Sequence, residues 1–336
     1  VEEVGKMREA LFFELLDAER VKCDLCPHHC ILKNGQTGIC GVRKNIDGAL
    51  YSLNYGQVSA VSMDPIEKKP LFHFHPGEEI LSIGSWGCNM ACPFCQNWEI
   101  SHAIPHVRDF SPAQFVSLTR AHHSFGIAYT YSEPIVWFEY VLDCARSAMK
   151  DGLDNVLVTN GFIEEQPFKL LIQYFSAMNI DVKSFDPEYY RKVLGGQRDI
   201  VMKNVEAAHK AGVHVEITTL VVPGDNDSEE EIDGISGWLS SIDRSIPLHL
   251  SRYYPNYKYD RPATDVDLLE KLWHVAKAHL DYVYIGNVPG MHEDTICPNC
   301  GQIVIKRMGY DVKIVGLDEE GSCTNCHHPI AVRKVI

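Results

Sequence analysis

Cys88, Cys92 and Cys95, in the run Gly87-Cys88-Asn89-Met90-Ala91-Cys92-Pro93-Phe94-Cys95, put three thiols on one short loop with the spacing C-x3-C-x2-C. Thiolates so placed can hold three corners of a [4Fe-4S] cluster, whereas a closed cluster takes four cysteines, so one iron stays open for another ligand. Zinc sites more often pair two C-x2-C knuckles across a longer spacer. The nearest other cysteines, Cys40 and Cys144, are far along the chain in both directions. The bland reading is an ordinary loop with three apolar thiols, but free cysteines, though often buried, rarely gather this way.

Two flanking groups read differently. Cys297-Pro-Asn-Cys300 and Cys323-Thr-Asn-Cys326 are two C-x2-C knuckles, and residues 303–315 between them read as the strands of a hairpin. This is a zinc-ribbon pattern, closed by four thiolates, and so a structural site or a docking surface; an electron-transfer iron is the alternative. Near the other end, Cys23, Cys26, Cys30 and Cys40 supply four more thiols, with Gly35 and Gly38 permitting the return turn. Tetrahedral zinc and a four-cysteine iron–sulfur centre both fit there, and zinc is favoured because a structural rim site needs no redox partner. Of the 12 cysteines only Cys144 lies outside these groups, within a helical pattern, where it reads as a small buried side chain. Grouping of this kind, with no export signal, points to metal ligands and not to disulfides.

The chain has 336 residues, 45% hydrophobic and 10% aromatic, enough for one large core with appendages. Lys+Arg of 31 against Asp+Glu of 45 gives a net charge of -14, which disfavours a nucleic-acid groove and leaves a small molecule or a protein as substrate. A charged amphipathic segment, residues 1–20, opens the chain, and neither a signal peptide nor an apolar run long enough to span a membrane is visible, so a cytoplasmic location is expected.

Something must hold these ligands. Over residues 79–288 short apolar runs alternate with helix-period segments, the mark of βα units on a parallel sheet. Strands are expected at 80–85, 127–131, 155–158, 180–183, 214–222, 248–253 and 282–286. Ser111-Pro112 with Gln114, Ser228 with Glu231, and Asp186-Pro187 mark helix starts between them. Asp225-Asn226-Asp227 lacks the spacing of a calcium loop and reads as helix capping. His73 and His75 are the next candidates for chemistry among the histidines, against a plainer role as packed or exposed side chains.

In a parallel α/β barrel the chemistry sits at the carboxyl ends of the strands. Those ends carry Glu133, Asn160, Asp181, Lys183, Ser251 and Arg252, and the triple-cysteine loop follows the first of them. Each has an ordinary alternative. Glu133-Pro134 could simply start a helix, Asp181 and Lys183 could form a surface ion pair, and Asn160-Gly161 is a common turn. Together, beside a cluster motif, they favour function.

This constellation resembles the radical S-adenosylmethionine (radical SAM) enzymes, in particular pyruvate formate-lyase activating enzymes and their relatives, over nearly the whole chain. The resemblance implies a fold, a partial (β/α)6 TIM-like barrel over 79–288, flanked by an N-terminal four-cysteine region, 1–78, and a zinc-ribbon-like module, 289–336. It also implies cofactors, a [4Fe-4S] cluster on Cys88, Cys92 and Cys95 with S-adenosylmethionine at the open iron, alongside Zn2+ and an N-terminal metal or Fe-S centre. Phe94 then matches the adenine contact, Glu133 the acid of the family's glycine-glycine-glutamate element (whose glycines are absent), Asp181 and Lys183 its D-x-K element, and Asn160 a ribose contact. Ser251 or Arg252 stands where the family has a later histidine. The implied activity is reductive cleavage of S-adenosylmethionine to a 5′-deoxyadenosyl radical that takes hydrogen from a protein or small molecule, with a one-electron donor such as flavodoxin or ferredoxin as partner. Activation of a glycyl-radical enzyme is one alternative, and a non-catalytic metal-binding scaffold or electron carrier is another.

The run Asp64-Pro-Ile-Glu-Lys68-Lys69-Pro-Leu-Phe-His73-Phe and the stretch Gly286-Asn287-Val-Pro-Gly-Met-His-Glu-Asp-Thr-Ile-Cys297, with the N-terminal cysteines, narrow the likeness to the radical SAM protein of the AmmeMemoRadiSam system. That implies a Memo-like protein and an AMMECR-domain protein as candidate partners.

Overall fold

The computed structural model describes residues 7–333, so Val1 to Lys6 of the opening charged segment lie outside the described residues. Its centre is one eight-stranded sheet, and we label the strands in chain order. These are β1 Ala60–Pro65, β2 Glu79–Gly84, β3 Gly126–Tyr129, β4 Asp154–Thr159, β5 Ala177–Asp181, β6 His214–Val221, β7 Leu248–Arg252 and β8 Val283–Gly286. Spatial order follows chain order; β2 to β8 are parallel neighbours and β1 pairs antiparallel with β2. All seven expected strands are present. The expected six βα units are the six helical crossovers between these seven parallel strands, and an antiparallel edge is added.

Each crossover is a helix with one apolar stripe: α1 Pro112–Ala121, α2 Phe138–Lys150, α3 Glu165–Ile172, α4 Arg198–Lys210, α5 Glu229–Ile242 and α6 Val266–Lys277. In α2 the buried Val141, Leu142, Cys144, Ala145 and Ala148 recur at helical spacing, and Cys144 is core as expected. Ser111 and Gln114 form the complete capping box of α1. At α5 only half of one forms: Ser228 accepts from the Glu231 N–H, but the Glu231 carboxylate turns away to accept from the Ser184 hydroxyl and Phe185 N–H. Asp186 caps only a short turn that runs into a π-helical segment, Tyr190–Leu194. Asp225-Asn226-Asp227 caps nothing. Asn226 instead ties the β6 end to the β5 end, accepting from Val222 N–H and donating to the Lys183 and Leu220 carbonyls.

Side chains alternate between the helices and the inner face of the sheet. Ile80, Ala128, Val156 and Ala177 form an inner layer with Ile66, Leu71 and Phe74. The segment 70–76 plugs the amino-terminal end of the strands. Glu216, fully buried, accepts from the Phe72 and His73 N–H groups at 3.0 and 2.7 Å and meets His214 and His249 at 2.9 and 2.7 Å. The expectation for His73 and His75 resolves to packing. His73 Nε2 meets the Tyr284 hydroxyl at 2.5 Å, and His75 stacks on Phe125 at 3.8 Å.

The C-terminal segment folds as the antiparallel strands Thr295–Ile296, Ile303–Met308 and Asp311–Ile314, with the expected hairpin. It seats on the plugged end: Arg307 donates to the Phe72 carbonyl at 2.6 Å and to Thr295 at 2.8 Å. The N-terminal region is two small antiparallel sheets, bound to α2 by a buried Arg43–Glu139 ion pair at 2.7 Å. Removing one partner of such a pair costs about 3–5 kcal/mol. Among the described residues no helix is long and apolar enough to cross a membrane.

Candidate metal and cofactor site

The loop after β2 carries the three cysteines and is held on every side by backbone contacts. Ala91 N–H donates to the Leu194 carbonyl at 2.8 Å, Lys258 N–H to the Pro93 carbonyl at 2.9 Å, and the Asn89 amide to the Phe162 carbonyl at 2.7 Å. Gly87 begins the turn at φ 91°, and a Cβ there would lie 2.7 Å from the Cys40 carbonyl oxygen and 2.6 Å from Val42, so no side chain fits. Burial pushes the Cys92 thiol up to about 11, partly offset by Lys183, and pushes Cys88 well above the usual range with help from the Glu133 charge. Metal binding at this loop must therefore displace protons.

Glu133 follows β3 and is 4% exposed. Its carboxylate accepts from Ile135 N–H at 3.0 Å, capping the turn Pro134–Trp137, from the Thr159 hydroxyl at 2.6 Å and from Asn160 N–H at 2.8 Å. Helix start and buried acid are thus one arrangement. Burial pushes its pKa up to about 7 against those three hydrogen bonds. An ionised carboxylate accepts about four hydrogen bonds, so one position remains. Asn160 donates to Asn89 Oδ1 at 3.0 Å and stands 3.8 Å from Cys88 Sγ. It links the carboxylate to the cysteine loop.

Asp181 ends β5 and meets Lys183 Nζ at 2.7 Å; their side chains are 32% and 15% exposed, so this is not a free surface pair. Burial would lower the Lys183 pKa, but Asp181 and Cys92 outweigh it and the ammonium is held above its usual range. On the same inner face, the Thr218 hydroxyl, level with Asp181 on the neighbouring strand, and the amide oxygen of Asn179, whose nitrogen donates to the Pro70 carbonyl of the plug, are buried without a hydrogen-bond partner among the described residues. Unsatisfied buried polar atoms are costly, and Thr218 Oγ1 leaves one such atom beside Asp181. The donor set therefore fits a cluster with a polar cofactor: three thiols on one loop, a buried acid with capacity left, and an unpaired hydroxyl beside Asp181.

Phe94 is buried, 6.0 Å ring to ring from Tyr259. Ser251 and Arg252 are successive residues of β7 and face opposite ways. Ser251 lies against Gly286 of the neighbouring strand, whereas Arg252 donates to the Thr264 carbonyl at 2.8 Å and lies over Tyr254. The structure gathers Cys88, Glu133 and Asn160, and Cys92 with Lys183 and Asp181; Arg252 is turned to its own loop.

Sequence reasoning passed over a supporting group. Tyr131, two residues before Glu133, has φ 71°, a conformation uncommon for a bulky side chain. Its hydroxyl donates to Asp64 at 2.5 Å, its ring lies 4.6 Å from Lys69 Nζ, and it covers Gly84, where a Cβ would sit 3.0 Å away. Lys69 donates to Asp64 at 2.6 Å. Burial opposes ionisation of Asp64, but hydrogen bonds from Lys68, Lys69 and Tyr131 hold it well below the usual carboxylate range; burial lowers Lys69 to about 8. A tyrosine in a left-handed turn answered by an acid on the edge strand has no local sequence signal.

The C-terminal cysteines gather into one knot: all four sulfurs lie within 4.8 Å of one another, with Cys297–Cys326 at 3.6 Å and Cys300–Cys323 at 3.7 Å. Metal–sulfur bonds of about 2.3 Å give tetrahedral edges of about 3.8 Å, so one ion fits. Hydrogen bonds from Asn325 and Gln302 hold Cys300 down to about 6, whereas burial pushes Cys297 up to about 12.

Residues 83–233 match the family model described as the radical SAM superfamily. An uncharacterized protein of Methanocaldococcus jannaschii is 42% identical over 334 residues, covering 97% of this chain and 99% of its own. The pyruvate formate-lyase 1-activating enzyme of Escherichia coli is 24% identical over 175 residues, covering 50% of this chain and 71% of its own. Among solved structures, Streptococcus suis SuiB bound to S-adenosylmethionine matches with a TM-score of 0.50 and 13% identity, covering 62% of this chain and 52% of that one, a likeness of fold. Superfamily members are enzymes, so the reading as a non-catalytic scaffold falls. The triple-cysteine loop on an open, mostly parallel sheet and these likenesses agree: the chain belongs to the radical SAM superfamily.

Proposed function

We propose that this enzyme binds a [4Fe-4S] cluster through Cys88, Cys92 and Cys95 and S-adenosylmethionine at the iron they leave open, for hydrogen abstraction from a protein or small-molecule substrate. The observation that carries this reading is Asn160, which joins the buried Glu133 carboxylate to the loop of Cys88. When bound, the cluster supplies the electron that splits the cofactor's sulfonium into methionine and a 5′-deoxyadenosyl radical. The chain's own work is placement and water exclusion. Glu133 receives the amino group, Asn160 and the Asp181–Lys183 pair bind neighbouring polar groups, Phe94 lies beside the adenine, and Ser251 borders the inner face. Cys297, Cys300, Cys323 and Cys326 hold one zinc ion that braces the plugged end.

Anaerobic reconstitution, dithionite reduction with S-adenosylmethionine and chromatographic assay for deoxyadenosine test the proposal. Cys→Ala change at position 88, 92 or 95 is expected to abolish the product; persistent turnover in any of these variants overturns the assignment.

A narrower reading makes the hydrogen donor a glycine of a partner enzyme. It is supported by the likeness to the activating enzyme of pyruvate formate-lyase. Activation assays on a glycyl-radical enzyme, followed by electron paramagnetic resonance, test it. The resemblance to the AmmeMemoRadiSam protein instead nominates Memo-like and AMMECR-domain proteins as partners, tested by co-purification.

A further inference from the structure

Cys23, Cys26 and Cys30 lie on the knuckle joining the strands Arg20–Cys23 and Ile31–Lys33, and Cys40 lies on the turn before Arg43–Ile46. All four line one cavity, with Leu25, Ile39 and Val136 as its apolar wall.

Spacing limits what this cavity can hold. A single tetrahedral ion draws its sulfurs to about 3.8 Å from one another, as the C-terminal cysteines display at 3.6 and 3.7 Å. Among the described residues that C-terminal set is the group of potential ligands gathered within 4.8 Å. No three of the N-terminal sulfurs lie within 4.8 Å of one another among the described residues, and the same holds for Cys88, Cys92 and Cys95. Thiols that face one cavity without being gathered to the spacing of a single ion suit a cubane, whose four irons each take one thiolate at a separate corner.

Charge points the same way. Arg43 is 1% exposed and lines the cavity. Its Nη2 donates to Glu139 at 2.7 Å, while Nε and Nη1 are buried with no partner among the described residues. Unpaired guanidinium donors are costly in a protein interior. An anionic cluster would offer them sulfur acceptors, and hydrogen bonds to sulfur are among the terms that set a cluster's potential.

The cavity adjoins the triple-cysteine loop. His28 Nε2 meets the Asn89 carbonyl at 2.7 Å, and the Cys40 carbonyl crowds Gly87. We propose that Cys23, Cys26, Cys30 and Cys40 hold a second [4Fe-4S] cluster, closed by four thiolates, and not the zinc ion favoured from sequence. With no open iron it binds no S-adenosylmethionine and serves as a one-electron centre beside the radical SAM loop.

Metal and sulfide counts test this without an activity assay. The wild-type chain, reconstituted anaerobically with iron and sulfide and desalted, is expected to carry about eight irons, eight sulfides and one zinc. About four irons with two zincs would overturn the proposal. The Cys88→Ala/Cys92→Ala/Cys95→Ala variant is expected to retain about four irons and to give an electron paramagnetic resonance signal on dithionite reduction. A folded, iron-free variant with a second zinc would also overturn it. Because that variant lacks the three thiols on which the proposed S-adenosylmethionine cleavage depends, its result is separate from the fate of the proposed function.

Discussion

The Asn160 N–H donates to Glu133 Oε2 at 2.8 Å, while the Asn160 side-chain amide stands 3.8 Å from Cys88 Sγ. One residue thereby sets the distance between an acid at the end of β3 and a thiol at the end of β2. Rotation of either strand end would break its contact with Asn160.

Glu133→Ala removes the acceptor of three hydrogen bonds, and charge-assisted bonds are worth about 1.5–3 kcal/mol each. S-adenosylmethionine affinity should fall roughly ten- to a hundredfold, with deoxyadenosine formation lost at low cofactor. Equilibrium dialysis against labelled cofactor measures it, with circular dichroism checking the fold. Glu133→Gln, which keeps the shape, should lose less.

Tyr131→Phe removes one of the donors that hold Asp64 ionised in the interior. The expected loss is about 1–3 kcal/mol of stability, read from urea denaturation. Because Tyr131 lies two residues from Glu133, cofactor affinity should weaken too. An unchanged affinity would limit the Asp64–Lys69–Tyr131 group to stability alone.

Glu216 yields a pH prediction. Burial raises its pKa, but contacts from His214 and His249 outweigh that and hold it well below 4.5. A carboxylate with a depressed folded pKa stabilises the fold at pH above its unfolded value, and the contribution fades as pH falls through the folded one. The melting temperature of the wild type should thus drop with acidification below about pH 4.5. Glu216→Gln should cost about 3–5 kcal/mol at neutral pH and flatten that acid-side slope. The plug lies at the opposite end from Cys88, so the folded variant should still cleave S-adenosylmethionine.

Cys300→Ser removes the exposed member of the C-terminal knot, which a chelator would also attack first. The variant should lose close to one zinc per chain and several degrees of melting temperature. Deoxyadenosine formation at 25 °C should stay within about twofold, since this end of a barrel governs stability more than chemistry.

Much of this was readable from the chain. The seven parallel strands announced themselves because a sheet buried on both faces leaves continuous apolar runs, and Ser111 with Gln114 is a purely local cap. The edge strand β1 escaped notice. Its exposed and half-buried Val61, Ser62 and Met63 carry no apolar alternation, and only pairing with β2 defines it. Glu231 and Asn226 misled for one reason: each reads as a local capping residue, yet each spends its side chain on a neighbouring βα unit. That Cys88, Glu133 and Asn160 lie together was legible because strand ends converge by topology. Tyr131 was not, since its partner Asp64 is distant in sequence and its left-handed backbone is set by contact.

Gly87 has a consequence for inheritance. With the Cys40 carbonyl 2.7 Å from where a Cβ would stand, position 87 is closed to every other amino acid while the N-terminal knuckle is present. A lineage that kept Cys23 to Cys40 could not vary it, and one that shed them would still meet Val42 and a φ of 91° there. Wherever the four distant cysteines are kept among descendants of this chain the glycine should therefore be kept too, a one-way linkage that sequence comparison alone can read.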